Sequence, residues 1–223
     1  MTKYPFLLFS EDNQETCCCF VLPVSEGSDI ILYNSILPNS FTFSITNVGG
    51  NAISGNYNSI DGKINLTSID LSVMFAPGDC FRIRCLGELS NTFQYIGCNT
   101  ENTHVFEFWD EAGEIGHQRV RLRCVLDTPQ SKTQKSEYID SNGVVHSLSK
   151  TRRKEYSLET DFYTEYMHDS IKEMLIYPNL LVDDELMYES GDYDIDWGEK
   201  DENGYAKGST SLSDQSINRY SIC

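Results

Sequence analysis

The sequence is short of positive charge. It has 17 Lys and Arg residues against 34 Asp and Glu, which gives a formal net charge of −17 at pH 7. Binding to nucleic-acid phosphates needs a basic surface, so this balance excludes a general nucleic-acid-binding surface and leaves only local basic patches. A surplus of acidic residues is typical of a chain that stays soluble and resists unwanted association.

The sequence also lacks a long hydrophobic run. No stretch approaches the about 20 apolar residues that span a bilayer. The apolar run at residues 6–9 is too short for the core of a signal peptide. We therefore expect no membrane partner, and a chain that is made and kept in cytoplasm.

Motifs for catalysis and metal binding are missing as well. There is no Gly-rich phosphate loop, no dinucleotide-binding glycine pattern, no His-Glu-x-x-His and no Gly-x-Ser-x-Gly. The eight cysteines form no Cys-x-x-Cys pair, and the consecutive Cys17, Cys18 and Cys19 favour buried, reduced thiols over a zinc site or a disulfide framework. These absences predict a protein that is not an enzyme and binds no cofactor, metal or small-molecule substrate.

Aromatic residues are plentiful, with 13 Tyr and 11 Phe, and they suit packing on pleated sheets. Apolar residues alternate with polar ones at residues 41–46, 69–75 and 103–109, and Gly, Asn and Pro turns separate these runs. We predict a mainly β fold, with one or more antiparallel β-sandwich or barrel domains.

A single helix is predicted near residues 164–177. Thr164 can cap it and Pro178 ends it, and between them apolar residues recur at helical spacing, at Met167, Ile171, Met174 and Leu175. Before this helix, Asn142-Gly143 is a strong turn signal and predicts a long hairpin.

Three regions are expected along the chain. Residues 1–127 read as an N-terminal β-sandwich-like domain, and residues 128–200 as a C-terminal β domain that holds the hairpin and the helix. Residues 201–223 read as a polar tail that orders only against a neighbour. The boundary rests on the polar, Pro129-containing stretch that begins at Asp127.

Charge is segregated along the chain. Residues 80–154 hold 11 of the 17 basic side chains, and residues 183–202 hold ten acidic residues against the single Lys200. Either these segments pair within one chain, or the basic segment of one subunit meets the acidic segment of the next or faces DNA. For the second alternative, the candidate subunit-interface or lumen patch is Arg82, Arg84, Arg119, Arg121, Arg123, Lys150, Arg152, Arg153 and Lys154. The candidate acidic interface is Asp183, Asp184, Glu185, Asp192, Asp194 and Asp196.

Several segments resemble one family. These are residues 77–82 (PGDCFR), 136–143 (SEYIDSNG) and 154–162 (KEYSLETDF), followed by Tyr166-Met167-His168. In this set the chain resembles virion proteins of crAss-like bacteriophages and related prophages of Bacteroidota, over about residues 75–200. It departs from them at residues 162–165 (FYTE), where that family has a Tyr-Leu-Pro-like turn.

The resemblance implies a structural virion protein that is made and assembled in the host cytoplasm. Its implied position is a ring or connector of the tail, a cyclic homo-oligomer around the DNA channel. Other tail proteins would contact it, and packaged DNA would touch it passively. A tail-fibre adaptor is an alternative. So is a carbohydrate-binding β-sandwich module, which the aromatic content permits and for which the exposure of Trp109 and Trp197 is the deciding feature.

Overall fold

The computed structural model describes residues 6–7, 9–10, 21–26, 30–33, 37–59, 61–67, 69–110, 117–198, 204–214 and 218–220. The strands of the first half are β1 (Phe9–Ser10), β2 (Val21–Ser25), β3 (Ile31–Tyr33), β4 (Thr42–Asn47), β5 (Ala52–Asn58), β6 (Lys63–Asn65), β7 (Cys80–Cys85), β8 (Glu88–Ser90), β9 (Thr92–Gly97), β10 (Thr103–Trp109) and β11 (Gln118–Leu126). Those of the second half are β12 (Gln130–Ile139), β13 (Val145–Thr160), β14 (Tyr163–Thr164), β15 (Asn179–Val182), β16 (Glu185–Glu189), β17 (Asp194–Asp196), β18 (Tyr205–Asp214) and β19 (Asn218–Tyr220), with the helix α1 (Glu165–Leu175).

The predicted fold class is confirmed. The chain is mainly β, with two sheets in a sandwich-like arrangement and one short helix. The strands pair antiparallel, except that β2 runs parallel to β9 among the residues described. The hairpin of β12 and β13 is present as predicted. Arginines alternate with other residues on two strands, β7 and β11.

Six strands of the larger sheet close into a barrel. β13 pairs with β18, β18 with β16, β16 with β15, β15 with β10, β10 with β11, and β11 with β13 again. Because the sheet closes, each of these strands has a hydrogen-bonded neighbour on both sides over the paired residues. Closure thus removes the free edges that an open sheet leaves. The barrel joins residues from both sides of the predicted boundary at 127, so that boundary does not separate the two sheets. As a division into folding units it stays a prediction.

The barrel strands bury alternate residues. On β11 the even-numbered residues from Gln118 to Cys124 are buried while the arginines between them are partly exposed. Helix α1 adds an apolar stripe to the same core, and its buried residues include Met167, Ile171, Met174 and Leu175. Thr164 occupies the predicted N-cap position without a side-chain capping bond.

The smaller sheet is held by stacked aromatic rings. Phe81 on β7 stacks on Phe93 of β9 at 5.4 Å between ring centroids and on Phe75 at 4.9 Å. Its strand order is β1-β8-β7-β4-β5, and β9 joins it through β7. β4 is buried on both faces, and β5 forms one end of that order among the described residues.

Two predictions are wrong. The run at residues 69–75 is not a strand but contains a 3-10 turn, Leu71–Val73, because Asp70 caps the N–H of Ser72 and Leu71 accepts the next backbone bonds. Within the expected polar tail, Tyr205–Asp214 is strand β18 of the barrel, where Ala206, Thr210 and Leu212 are buried. Residues 201–203, 215–217 and 221–223 lie outside the described residues.

Candidate interaction surfaces

One long exposed feature is the hairpin of β12 and β13, which we call the arm and define as residues 130–154. Among the described residues β12 pairs only with β13, and β13 gains a second neighbour in the arm only at residues 150–152, against β19. The side chains described between residues 130 and 146 are exposed, apart from the half-buried Asp140. A ten-residue strand is about 33 Å long, so the arm extends well beyond the barrel.

The tip of the arm is apolar. Tyr138, Ile139, Val144 and Val145 are 48%, 69%, 51% and 56% exposed. Ile139 and Val145 are cross-strand partners, and the ring of Tyr138 stacks on that of His146 with 4.9 Å between centroids. Four large apolar side chains in one short exposed segment are unusual at a surface that only meets water.

The turn at the tip is held by one carboxylate. The side chain of Asp140 accepts hydrogen bonds from the N–H groups of Asn142 and Val144, both at 2.9 Å, and Gly143 adopts a positive φ of 78°. His146 Nε2 lies 3.0 Å from the same carboxylate. The hydrogen bond with His146, followed by that from Val144, holds the pKa of Asp140 below its usual value. The tip is therefore presented in a defined conformation.

The base of the arm carries basic side chains in two situations. Arg153 donates to the hydroxyl of Tyr188 and lies over its ring at 5.6 Å, so it is used within the chain. Arg152 and Lys154 are exposed and form no ion pair with any residue the structure describes, and Arg152 donates only to Ser131 Oγ of the arm itself, at 3.1 Å, among those residues. The side chain of Lys150 lies outside the described residues.

The arm carries a net charge opposite in sign to that of the rest of the chain. It contains six basic and two acidic residues, a net charge of +4. The rest of the chain contains 11 basic and 32 acidic residues, a net charge of −21. One of the six, Lys132, pairs with Glu155 at the base of the arm. An exposed basic ribbon therefore extends from an acidic body.

The arginines of β11 are engaged within the chain. Arg119 pairs with Glu107 at 2.7 Å and with Asp184 at 3.2 Å, and Glu107 also accepts from His117 at 2.8 Å. For these residues the structure favours pairing within one chain over docking of a neighbour.

Arg121 belongs to a second cluster beside the first. It donates to Thr103 Oγ1 at 3.0 Å and lies in the field of Asp183. Asp183 accepts from His104 Nδ1 at 2.6 Å and from the N–H of Val105 at 2.9 Å. Burial alone would raise the pKa of Asp183, but these hydrogen bonds outweigh it and the pKa is lowered.

The remaining predicted arginines do not form one basic face. Arg82 is 5% exposed and donates to Thr92 Oγ1 at 3.2 Å, so it offers no surface. Arg84 donates to a backbone carbonyl at 2.7 Å, and Arg123 donates to Gln94 of the smaller sheet at 2.7 Å. The predicted basic patch is thus divided between arginines that have partners within the chain and the arm.

The predicted acidic interface divides in the same way. Asp183 and Asp184 are engaged with β11, as described above. By contrast, Asp192, Asp194 and Asp196 are exposed, and none of them forms an ion pair in the described part of the chain. Strand β17, which carries Asp194 and Asp196, pairs with β18 alone there. In the described residues no group of three His, Cys, Asp or Glu side chains could hold a metal ion.

The two tryptophans differ in exposure. Trp109 is half-buried, with its ring edge-on to His117 at 5.6 Å. Trp197 is 38% exposed and lies beside Asp196, while its ring also contacts His168 at 6.0 Å. The exposed ring keeps a carbohydrate-binding site as an alternative.

A buried histidine ties helix α1 to the barrel. His168 is fully buried, with Nε2 3.0 Å from the carbonyl of Ala206 and Nδ1 2.7 Å from the hydroxyl of Tyr193. Burial lowers its pKa. A Cβ added at Gly208 would overlap the Tyr193 hydroxyl, so this ring fits only because residue 208 is glycine.

The thiols that the structure describes are reduced and mostly structural. Burial raises the pKa of Cys85 to about 11 and that of Cys124 to about 12, so neither is a ready nucleophile. Cys98 is exposed and donates to Glu26 at 2.9 Å. Cys17, Cys18, Cys19 and Cys223 lie outside the described residues.

A cavity of about 240 Å³ opens where β11 and β13 meet. Its charged lining includes Arg123, Glu159, Asp161 and Lys207. Lys207 pairs with Glu159 at 2.6 Å and the guanidinium of Arg123 is bound to Gln94, so its cationic groups already have partners.

Reasoning from the sequence missed the apolar tip of the arm. The signal was present in the two apolar pairs, Tyr138-Ile139 and Val144-Val145, that flank the predicted turn.

No protein-family model, curated protein or solved structure matches the chain. In the part of the chain that the structure describes, no helix is long and apolar enough to cross a membrane.

Proposed function

We propose that this chain is a structural, non-catalytic subunit that assembles with copies of itself through the arm, as a cyclic ring of a phage tail or neck around the DNA channel. The observation that carries the self-assembly is the arm, which is exposed, basic and apolar at its tip on an otherwise acidic chain. The place in a tail rests on the resemblance of residues 75–200 to phage virion proteins.

The arm gains little by folding alone. An isolated two-stranded hairpin is at best marginally stable in water, and over residues 131–146 the arm has no third strand among the described residues. A surface that covers its apolar tip would bury Ile139 and Val145 and supply the missing packing. Assembly therefore stabilises the arm as well as joining the subunits.

The charges support a second copy as the partner. A ribbon of net charge +4 is attracted to a body of net charge −21. Asp192, Asp194 and Asp196 are exposed candidates for the receiving surface. Because arm and body are different surfaces, the contact is head-to-tail, and such contacts make a ring when the rotation closes.

The same charges suit a passive DNA channel. The acidic body does not attract phosphates, so packaged DNA would pass a ring of such subunits without being held. Other tail proteins would meet the ring above and below it, in the virion.

Native mass spectrometry over a range of salt concentrations tests the proposal. Screening shortens the range of charge attraction from about 30 Å at 0.01 M to about 3 Å at 1 M. We expect a closed oligomer of one stoichiometry at low salt that dissociates as the salt concentration rises. A monomer that does not respond to salt, alone or with other tail proteins, would contradict it.

Charge reversal at the base of the arm tests the same contact directly. The double variant Arg152→Glu with Lys154→Glu should lose the low-salt oligomer. The control is Lys63→Glu with Lys172→Glu, which makes the same change in net charge outside the arm and should assemble normally. Equal assembly of the two variants would show that the arm carries no contact.

The alternatives are a carbohydrate-binding module and a tail-fibre adaptor, and the 38% exposed Trp197 favours the first. A glycan array tests it, with Trp197→Ala as the matched variant. Binding that this variant abolishes would support the module, and silence of the array would remove it. An adaptor would bind a partner protein without forming a ring by itself.

A further inference from the structure

The free edge of the smaller sheet carries no charge. Residues 47–60 contain no Asp, Glu, Lys, Arg or Pro, in a chain in which 23% of the residues are charged. Strand β5 lies in this segment, and among the residues that the structure describes it pairs with β4 alone. Its outer edge is therefore a row of backbone groups in a segment that has no charged side chain of its own, although Arg84 of β7 donates to the carbonyl of Gly50 at 2.7 Å.

This edge is poorly protected against pairing. Five of the seven residues of β5 are exposed, including Ile53 at 42%. Edge strands are usually blocked by lysines, prolines, bulges or a covering element. β5 has one of these devices, a bulge in which Ile53, Ser54 and Gly55 lie opposite Ile45 alone, and Ser54 Oγ accepts from the N–H of Ile45 at 2.9 Å. The residues on either side of the bulge remain in register with β4.

We infer that β5 of one copy pairs antiparallel with β5 of a second copy, about a twofold axis at Gly55, so that the smaller sheet continues across a dimer. This register sets Ile53 of each copy opposite Tyr57 of the other, and Ser54 opposite Asn56. Pairs of β-branched and aromatic residues stabilise antiparallel strands. The strand is self-complementary in this register, as a twofold interface requires.

Charge favours a second copy as the occupant of this edge. Two molecules of net charge −17 repel each other over most of their surfaces. The uncharged segment is a place where they approach without bringing like charges together. This contact differs from the arm contact because it uses no ion pairs, and it holds whether or not the chain forms a tail ring.

Salt separates the two interfaces. In about 1 M salt, where charge attraction reaches only about 3 Å, light scattering on the purified protein should give the mass of a dimer. A monomer at this salt concentration overturns the inference and leaves the ring proposal standing. A dimer at both high and low salt supports the inference and contradicts the ring.

Cross-linking tests the register. Gly55→Cys should tolerate the change because a Cβ there meets no atom within 4 Å. Directly opposed residues in antiparallel strands have Cα atoms about 4.5–5.5 Å apart, within the range that a disulfide bridges. Under mild oxidation in 1 M salt we expect most of this variant to form a covalent dimer.

The controls are the unmodified chain, which reports any background from the exposed Cys98, and Val73→Cys at a position that is 77% exposed. Both should yield several-fold less covalent dimer than Gly55→Cys. Equal yields from Gly55→Cys and Val73→Cys would overturn the inference.

Discussion

The two ends of β13 lie in different surroundings. At residues 155–160 the strand is part of the barrel, between β11 and β18, and Tyr156, Leu158 and Thr160 are buried. At residues 145–149 it pairs with β12 alone in the described structure, and Val145 is 56% exposed. One continuous strand is thus part of the core at one end and of the surface at the other. Residues 155–160 stabilise the fold, whereas residues 145–149 are available to a partner.

The basic residues make the same contrast. Arg119 on the barrel has carboxylate partners within 3.2 Å, whereas Arg152 and Lys154 on the arm have none among the described residues. The charge of Arg119 is neutralised within the chain, whereas Arg152 and Lys154 remain available for association. Charge that is segregated along the sequence therefore does not produce one basic face.

The largest expected effect is at the barrel end of β13. Leu158 is 1% exposed, and Leu→Ala changes in a core cost about 2–5 kcal/mol of stability. We expect Leu158→Ala to lower the free energy of unfolding by that amount, measured by urea denaturation.

The matched control is Val145→Ala at the arm end. A surface substitution of this kind changes the unfolding free energy by no more than about 0.5 kcal/mol, although it should weaken the salt-sensitive oligomer. If Val145→Ala were as destabilising as Leu158→Ala, the arm would be part of the cooperative core and the contrast would fail.

Pattern reasoning worked where one local signal decides the structure. The alternating residues of β10 and the apolar stripe of α1 each specify an element by its period, and the Asn142-Gly143 turn specifies the hairpin. It failed at residues 69–75, where Asp70 and the backbone choose a 3-10 turn despite alternation. It also failed at β18, whose Gly, Ser and Thr residues are strand only because four other strands surround them.

The next largest effect should come from Gly208 on β18. Its hydrogen faces the Tyr193 hydroxyl, and an added Cβ would overlap the ring. We expect Gly208→Ala to destabilise by about 1–3 kcal/mol through overpacking, whereas Gly55→Ala, with open space around its Cβ, should change stability little.

A double-mutant cycle with Tyr193→Ala identifies the cause, because removing the ring makes room for the new methyl group. The cost of Gly208→Ala should then be smaller in the Tyr193→Ala background. An unchanged cost would mean that the glycine is needed for its backbone and not for this contact.

The candidate surfaces were only partly predictable from the sequence. The composition identifies the basic and acidic segments, but not which charges find partners in the fold. Arg119 meets Asp184 across 65 positions of the chain, a distance over which no periodicity argument applies. The uncharged β5 edge is visible as composition, yet its exposure depends on the strand order of the smaller sheet.

The smallest expected effect on stability is the pH response of His168, which contacts the barrel strand β18 through Ala206. Burial lowers the pKa of this imidazole, and Lys172 on the same helix opposes its protonation while Asp169 favours it. The unfolded chain takes up a proton near pH 6.5, before the folded chain does. The stability that depends on the neutral ring is therefore complete above about pH 6.5 and is lost as the pH falls toward the lowered folded pKa.

We expect the free energy of unfolding to fall as the pH drops below about 6.5, and His168→Gln to remove part of that slope. His146→Gln on the exposed arm should leave most of the slope in place. Urea denaturation at several pH values measures both. The same slope in the chain with and without His168 would mean that protonation of this ring is not coupled to unfolding, because the hydroxyl of Tyr193 can turn to accept a hydrogen bond from Nδ1–H as readily as it donates one to Nδ1.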